Sequence, residues 1–416
     1  MKPISRIRHR IPHNKIELDI SLNSRNLIIT GTNGAGKTTF VQELHRKLVA
    51  RLLEDQDGQI YRHEQTLHNL KARLAHLENA PHSELELVQV REHIQNEEQW
   101  LTAARHGPEI ELLETLEFRK LLIVGNGMVE YFEAFRQSHI AAAQGTDNTA
   151  YHPNELQGDQ AQHIGSKLEK HLVKLRTRRS FAITEAQAPE LVRAIDTWFA
   201  SFEEHLRLLF EDKTVALRFD PQEFKFEITH ANREPYSFQT LSSGYSAVFS
   251  ILSRLLMRAE ILGITPSDLS GVAIIDEIDA HLHASLQRKI LPFLTNLCPR
   301  VQFIVTTHSP FVIASVSDAL IVDISSNQQI EDLSSYSYEG ILQTLLQTPT
   351  TSDLLRQRIQ SLADALAQPA TNIKRLKMLI ASINANDLVL DEESAFYVTS
   401  AKLQVLKATR READGV

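Results

Sequence analysis

The sequence has a single cysteine, Cys298, in 416 residues. One thiol cannot form an intrachain disulfide, so the class of small secreted proteins that depend on disulfides is excluded. A lone cysteine also fits a reducing compartment, and we expect a cytoplasmic protein. The length supplies enough apolar material for a core and predicts two or three structural units.

Long hydrophobic runs are also missing. No apolar stretch reaches the roughly 18 residues that span a bilayer, and the basic start, MKPISRIRHR, lacks the apolar segment of a secretory signal. We therefore expect no membrane partner. Basic residues are outnumbered as well, with 44 Lys+Arg against 52 Asp+Glu and a net charge of −8. Nucleic acid would have to bind at a local basic patch.

The most specific motif lies in the segment NLIITGTNGAGKTTF, which begins at Asn26. A short apolar run predicts a buried strand, and the next eight residues fit G-x-x-x-x-G-K-[S/T]. Glycines let backbone N–H groups curl around a phosphate, Lys37 can reach the β- and γ-phosphates, and the Thr38 hydroxyl can hold Mg²⁺. The helix that follows would direct its positive dipole end at the anion. The motif predicts a bound nucleoside triphosphate, contacted by Gly31, Asn33, Gly34, Ala35, Gly36, Lys37, Thr38 and Thr39.

Two more buried strands are predicted in the second half of the chain, and each ends in polar residues. Val272–Ile275 leads into Asp276 and Glu277, and the strand 301–305 is followed shortly by His308. Adjacent carboxylates after a buried strand are rarely structural, because burying them unpaired is costly. Asp276 can hold Mg²⁺ through water, Glu277 can deprotonate an attacking water, and an imidazole at position 308 can bond a γ-phosphate.

A small-residue turn precedes another predicted helix. Ser242, Ser243 and Gly244 lead directly into an apolar helical run, and such a turn is a ready-made anion site. Ser-Ser-Gly turns are common, so the pattern alone is only moderately specific. The His281-x-His283 pair does not predict a metal site, since no further ligand stands nearby in the sequence.

Residues 59–105 carry a different pattern, a heptad seam with charged residues between its apolar positions. A proline turn at 79–82 interrupts it, which predicts an antiparallel coiled-coil hairpin with arms of roughly 20 residues, about 30 Å long. Two amphipathic helices packed on the body remain the alternative. The first arm of the seam consists of Ile60, Leu67, Leu70, Leu74 and Leu77.

Other segments are less informative. We expect two strands within residues 1–30, a strand at Phe118–Val124, a loop at 141–158 and a β-pair at 215–219 and 224–228. Two basic groups could contact nucleic acid or be simply solvated, and the second of them could also meet an acidic partner. These groups are Arg6, Arg8 and Arg10, and Lys174, Arg176, Arg178 and Arg179.

The order of the motifs resembles the ABC-type ATPase family, and within it the SMC/RecF-like branch with D-E-x-D-x-x-L-H after the Asp-Glu pair. Here that run is Asp276–His283, and the resemblance covers residues 14–58 and about 212–325. It implies an α/β P-loop NTPase fold of ABC-type head, with the short antiparallel coiled coil as an insertion and a helical C-terminal element. The signature departs from the family, with LSSGYS where transporters have LSGGQ.

The resemblance also implies roles at a composite site between two heads. The phosphate loop and Asp276 would bind ATP and Mg²⁺ in cis, Glu277 would be the catalytic base and His308 the switch histidine. Ser242, Ser243 and Gly244 would contact the γ-phosphate of the opposing subunit, with Asp279 and Ala280 near the seam. Gln137 would be the Mg²⁺-coordinating glutamine.

The expected organisation is an ATPase head in two lobes, 1–58 and 211–330, with a hairpin at 59–106 and a mixed insertion at 107–210. Residues 331–416 would form a helical assembly element. Anti-phage defence ATPases of the PARIS and Septu kind resemble this arrangement, so one hypothesis is a self-associating sensor that controls a separate effector, a nuclease or toxin. A RecF- or SMC-like DNA repair or clamping ATPase is the alternative. The long insertion argues against a transporter subunit.

Overall fold

The computed structural model describes residues 2–11, 16–78, 84–145, 151–156, 158–185, 187–346, 352–368, 372–383 and 392–413. The strands are β1 Ile4–Arg10, β2 Glu17–Ser21, β3 Asn26–Thr30, β4 Glu109–Leu112, β5 Gly127–Phe132, β6 Ala216–Asp220, β7 Lys225–His230, β8 Arg233–Ser237, β9 Ser270–Ile275, β10 Val301–Thr306, β11 Ala319–Asp323 and β12 Gln328–Ile330. The helices are α1 Lys37–Leu52, α2 Gln56–Glu78, α3 Glu84–Arg105, α4 Thr115–Val124, α5 Gly158–His163, α6 Leu168–Thr184, α7 Pro189–Phe210, α8 Ser243–Leu262, α9 Ala284–Leu297, α10 Pro310–Ile313, α11 Tyr338–Thr344, α12 Asp353–Ala367, α13 Ile373–Ile383 and α14 Glu392–Ala413.

The chain forms two compact units, Met1–Tyr338 and Glu339–Val416. A six-stranded sheet of order β12-β11-β3-β10-β9-β5 lies at the centre of the first unit, and only β12 is antiparallel to its neighbour. β3, β9 and β10 are buried along their whole length, as expected for a parallel sheet with both faces covered. The predicted α/β fold is confirmed.

Two smaller antiparallel sheets complete the first unit, with orders β2-β1-β4 and β6-β7-β8. Within residues 1–30 the structure has three strands instead of the predicted two. The missed strand is β1, whose register shifts between Ile4 and Arg6. That irregularity removes the strict alternation by which a half-buried strand is recognised. β8 was missed because Pro235 argues against a strand, although an edge strand tolerates proline.

The predicted strand at Phe118–Val124 is wrong, because this segment belongs to α4. Phe118 is the buried position on the helix. Gly125, with φ 91°, ends it in the left-handed conformation that glycine favours. The strand follows as β5, and it begins at Gly127, where a Cβ would lie 3.0 Å from Leu122 N.

The helices α2 and α3 form the predicted antiparallel hairpin, and the seam residues of the first arm are partly buried. Ion pairs join the two arms, for example Arg73–Glu86 at 2.7 Å and Lys71–Glu98 at 2.6 Å. Both pairs are largely exposed, so they contribute little stability. The turn at 79–82 lies outside the described residues.

Several local expectations were only partly right. The segment 141–158 was expected to be a loop, but its described residues include a 3₁₀ turn at Pro153–Leu156. Residues 146–150 and 157 of it are not described. In the C-terminal unit, the sequence predicts helices near 351–367, 371–384 and 389–409, and α12, α13 and α14 lie within about four residues of these bounds. The three helices share a core around Leu362, Leu376 and Ala401.

Candidate functional site

Three parallel strands bring the motif residues to one edge of the central sheet. β10 lies between β3 and β9, with Ile304 paired to Leu27 on one side and to Ile274 on the other. The phosphate loop, the residues after β10 and the Asp276-Glu277 pair therefore converge at the carboxyl ends of these strands. Ligands of open α/β sheets bind at this edge.

The conformation of the phosphate loop depends on its glycines. Gly31, Gly34 and Gly36 have φ of 140°, 77° and 93°, values that side chains with a Cβ rarely adopt. A Cβ on Gly31 would lie 2.7 Å from the Ser325 hydroxyl, which accepts a hydrogen bond from Thr32 N at 2.8 Å. Gly36 directly precedes α1, so the loop ends at a helix N-terminus, where free amide groups favour an anion.

Lys37 is folded onto the loop that carries it. Its Nζ donates to the carbonyl oxygens of Gly31 at 2.9 Å and Thr32 at 3.0 Å, and the residue is only 7% exposed. Burial lowers the pKa of the ammonium group, and the nearby Glu277 and Asp276 carboxylates oppose this. The ammonium is thus held beside the loop, in reach of an anion bound there.

Asp276 lies at the end of β9 and is bound from a neighbouring strand. Its Oδ1 accepts a hydrogen bond from the Thr306 hydroxyl at 2.5 Å, and the oxygen of that hydroxyl accepts from Glu277 N at 2.7 Å. On β5, burial and the nearby Asp276 carboxylate raise the pKa of the Tyr131 phenol to about 12. Thr306 therefore orients the carboxylate.

Unlike the buried Asp276, Glu277 has an exposed side chain. Its backbone is held by a hydrogen bond from Glu277 N to the Thr306 hydroxyl. The residue has φ 45°, a left-handed conformation that is uncommon for a residue with a side chain and is typical of functional sites. The side chain lines a cavity of about 250 Å³. The described residues that line this cavity are Asn33, Gly34, Gly36, Lys37, Thr38, Thr39, Glu277 and His308.

His308 lines the same cavity as Glu277. Burial and the positive charge of Lys37 lower the pKa of its imidazole below 6.5, against the opposing effect of Asp279 and Glu277. The ring is therefore neutral near pH 7, and it can donate one hydrogen bond and accept another. Next to it, the Thr307 hydroxyl bonds Asp279 Oδ1 at 2.5 Å.

Mg²⁺ fits the oxygen groups at this edge. Thr38 lines the cavity, and the buried Asp276 immediately precedes Glu277 in the sequence. Both supply the hard oxygen ligands that Mg²⁺ prefers. Among the described residues, there is no group of three or more His, Cys, Asp or Glu side chains that could hold a metal by itself. Phosphate oxygens and water would have to complete the coordination shell.

Stability should fall as pH drops below about 6.5, because burial lowers the pKa of His9, His45, His205 and His308. Between the folded and unfolded pKa values the unfolded chain binds more protons, so the free energy of unfolding rises with pH in this window. Urea titrations from pH 7.5 down to 5.5 would measure the slope. His308→Gln should flatten it, whereas His76→Gln on the exposed face of the hairpin should not. A slope of opposite sign would contradict the assignment.

The Ser-Ser-Gly turn does not contribute to the described lining of this cavity. Ser242 occupies the N-cap position of α8 without a side-chain cap hydrogen bond, and both serines are exposed. A Cβ on Gly244 would lie 3.0 Å from the carbonyl oxygen of His281, so the turn packs against the segment that follows Glu277. None of the three turn residues is among the described residues that line the cavity, and their nucleotide contact stays a prediction.

Gln137 and the histidine pair are also not brought into the cavity. Gln137 is exposed and is not among the described lining residues, so its metal role stays a prediction. His283 caps α9, and its ring accepts from Ser285 N. His281 is exposed and meets the Phe135 ring edge-on, with centroids 6.2 Å apart.

One buried group at the site was missed in the sequence. Arg136 is 8% exposed and contacts the backbone that follows β9. Desolvation lowers the pKa of its guanidinium to about 10, against the effect of Asp279, Asp276 and Glu277. The group is still charged at pH 7. An arginine between Phe135 and Gln137, which are both exposed, carries no signal of burial in the sequence.

The chain is similar to several known proteins over part of its length. A 107-residue segment, 25% of this chain, is 34% identical to 20% of the "Retron Ec83 probable ATPase" of Escherichia coli. A 114-residue segment, 26% of this chain, is 32% identical to 28% of the Septu protein PtuA of Bacillus thuringiensis. The matches thus span less than a third of the length of these relatives.

Solved structures similar to this chain include SMC heads. A SMC head bound to the C-winged helix domain of ScpA is 12% identical, with a TM-score of 0.36, and the match covers 78% of this chain and 96% of that one. The SMC head domain from Thermotoga maritima is 13% identical, with a TM-score of 0.35, and the match covers 77% of this chain and 94% of that one.

Residues 27–314 match the family model described as "AAA domain, putative AbiEii toxin, Type IV TA system". This match covers more than half of the chain, from the strand before the phosphate loop through β10 and α10. The chain belongs to this family of AAA-type ATPase domains.

Proposed function

We propose that the chain binds ATP with Mg²⁺ at this site and hydrolyses it to ADP and phosphate. The observation that carries the proposal is the shared cavity, which is lined at once by phosphate-loop residues, Glu277 and His308. A phosphate-binding loop opposite an exposed carboxylate and a neutral imidazole is the set of groups that triphosphate hydrolysis needs.

In this proposal each group has one role. The loop amides and Lys37 hold the phosphates, and Thr38 and Asp276 hold Mg²⁺, which would neutralise developing charge when bound. Glu277 orients and deprotonates the attacking water, since its carboxylate is the exposed acidic group of the cavity lining. His308 donates a hydrogen bond to the γ-phosphate from its neutral ring.

Removing the metal tests this directly. The purified chain should release phosphate from ATP with Mg²⁺, and EDTA in excess of Mg²⁺ should bring the rate to background, because the developing phosphate charge loses its counter-ion. Adding back Mg²⁺ should restore the rate, which controls for denaturation by the chelator. Turnover that continues in EDTA would contradict the proposed metal role.

We further propose that two copies face each other, with Ser242, Ser243 and Gly244 of one copy on the γ-phosphate of the other. The support is that the two serines are exposed at the start of α8, where helix amides can bind an anion. Neither serine is among the described residues that line the cavity of the same chain. ATP binding would then be an assembly event.

Ser243→Arg should abolish turnover by blocking the opposing nucleotide, while leaving the cavity of its own chain intact. Mixing this variant with an inactive Lys37→Ala chain should restore activity, because one composite site of each mixed dimer has both halves intact. Random exchange predicts up to about one quarter of the wild-type rate. Ser201→Arg, at an exposed serine of α7, is the control and should retain full activity. A mixture that stays inactive would argue against sharing of the site.

We also propose a cytoplasmic role in anti-phage defence, in which the nucleotide state controls a separate effector protein, a nuclease or toxin. The similarity to a Septu protein and to retron ATPases supports this class. The hairpin α2–α3 and the unit Glu339–Val416 are the proposed docking and assembly elements. Among the described residues, none of the helices is long and apolar enough to cross a membrane.

The defence role is tested in cells that carry this chain with its neighbouring genes. Phage plating should fall relative to cells without the locus, and Lys37→Ala or deletion of the effector gene should restore it. Protection that persists without nucleotide binding would remove the ATPase from the mechanism.

The alternative, a DNA repair or clamping ATPase, gains no support from the basic groups. Arg179 pairs with Asp196, with Nη2 2.9 Å from Oδ2, and Arg176 lies over the Phe199 ring. Arg6 and Arg8 pair with Asp19 and Glu111 on the first small sheet. A DNA affinity that falls steeply with salt would revive this alternative, since counterion release marks phosphate contacts.

A further inference from the structure

Arg136 lies in the segment that follows β5, against the backbone of residues 276–278, which follows β9. Its side chain is buried, in contrast to the neighbouring Phe135 and Gln137, which are exposed. A charged side chain is seldom buried without partners. The partners here are backbone oxygens rather than a single carboxylate.

The guanidinium spans three consecutive carbonyl groups. Nη1 donates to Asp276 O at 2.7 Å, and Nη2 donates to Glu277 O and to Ile278 O, each at 3.0 Å. Nη1 also donates to Glu133 O at 3.0 Å, which ties the guanidinium to its own segment. The planar fork of arginine supplies these donors in fixed directions, which the single ammonium of a lysine cannot do.

The backbone N–H groups of Asp276, Glu277 and Ile278 are hydrogen-bonded as well. Asp276 N donates to Phe132 O at 2.9 Å and Ile278 N to Thr306 O at 3.0 Å, while Glu277 N donates to the Thr306 hydroxyl. Each peptide around Glu277 is thus bound at both ends. Strained backbone persists only where its surroundings fix it in this way.

We propose that Arg136 is a positioning residue, whose guanidinium fixes the left-handed turn that directs the Glu277 carboxylate into the nucleotide cavity. The inference rests on the proposed function of Glu277 as the base. Without the fork, the buried carbonyls of Asp276 and Ile278 lose this donor, and Glu277 O keeps only the bond from Ala280 N at 2.9 Å. The turn is then free to relax toward ordinary backbone angles. The carboxylate would then leave its place beside the attacking water, although the phosphate loop on β3 would be unchanged.

The test compares kcat with ATP affinity in Arg136→Met and Arg136→Lys of the full chain. Arg136→Met should lower kcat about 100-fold, the scale of a small misplacement of a reacting group, and should leave the Kd for ATP within a few-fold of the wild type. Arg136→Lys keeps the charge with fewer donors and should be intermediate. Arg51→Met is the matched control, because Arg51 at the far end of α1 also bonds a backbone carbonyl, that of Ile110, and it should keep wild-type turnover.

A second measurement separates positioning from general loss of structure. In a Glu277→Gln background, Arg136→Met should cause no further loss in single-turnover hydrolysis, because a residue that acts through Glu277 has nothing left to position. Equal losses in both backgrounds, or parallel falls in kcat and ATP affinity, would overturn the proposal. So would wild-type turnover in Arg136→Met. If the wild-type chain itself shows no Mg²⁺-dependent turnover, the proposed function fails, and the positioning role falls with it.

Discussion

Replacing Lys37 with alanine is expected to weaken ATP binding by about 100-fold or more. Hydrogen bonds to charged groups contribute roughly 1.5–3 kcal/mol each, and the ammonium can bond both the β- and the γ-phosphate. In the structure this group is buried beside the loop on the carbonyls of Gly31 and Thr32, so its loss also removes these two hydrogen bonds, and Thr32 O keeps only the bond from Ala35 N. Equilibrium titration with a fluorescent ATP analogue would measure the change.

Lys47→Ala is the matched control for this substitution. Lys47 stands on the same helix α1, but its Nζ donates to Ala104 O at 2.6 Å, at the base of the hairpin. Its removal should leave ATP affinity within a few-fold of the wild type. Unchanged affinity in Lys37→Ala would remove the phosphate loop from the account.

Glu277→Gln is expected to keep ATP bound while lowering turnover by about 100-fold to 10,000-fold, the contribution of a general base. The amide has nearly the shape of the carboxylate, and the backbone of residue 277 is fixed by Thr306 and Arg136. The substitution therefore removes the base without moving the turn. Phosphate release and ATP affinity measured on the same preparation would separate the two effects.

Glu331→Gln is the control for this second substitution. Glu331 is largely exposed and pairs with Arg25 at 3.3 Å, so both turnover and affinity should stay at the wild-type level. Normal turnover in Glu277→Gln would assign the base to another group. Loss of ATP affinity would instead show that the carboxylate serves binding.

The centre of the fold could be predicted because its signals are local. β3, β9 and β10 are short apolar runs, each followed within a few residues by polar groups that have no structural use in a core. Parallel strands bring their carboxyl ends together whatever the loops between them contain. The convergence of the phosphate loop, Glu277 and His308 therefore follows from the pattern of strands and motifs alone.

Other features depend on distant contacts that no local pattern encodes. Phe118 and its apolar neighbours suit a helix or a strand, and packing against β5 with the stop at Gly125 decides for the helix. Arg136 is buried only because β5 and β9 pair and place their ends side by side. The three carbonyl groups after β9 that it contacts are about 140 residues away in the sequence.

The position of the Ser-Ser-Gly turn illustrates the same limit within the site. Its helix was expected from the apolar run after Gly244, and α8 is present there. In the proposed assembly, the cavity that the turn serves depends on how two copies meet. In a single sequence, the only sign of such a contact between copies is a group of exposed polar residues at the start of a helix.

Phosphate release at saturating ATP and Mg²⁺, compared between the wild type and Glu277→Gln, tests the central claim most directly. The account predicts steady turnover in the wild type and, with ATP still bound, a rate at least about 100 times lower in the variant. Equal rates in the two proteins, or no turnover in the wild type, would contradict hydrolysis at the edge formed by β3, β10 and β9.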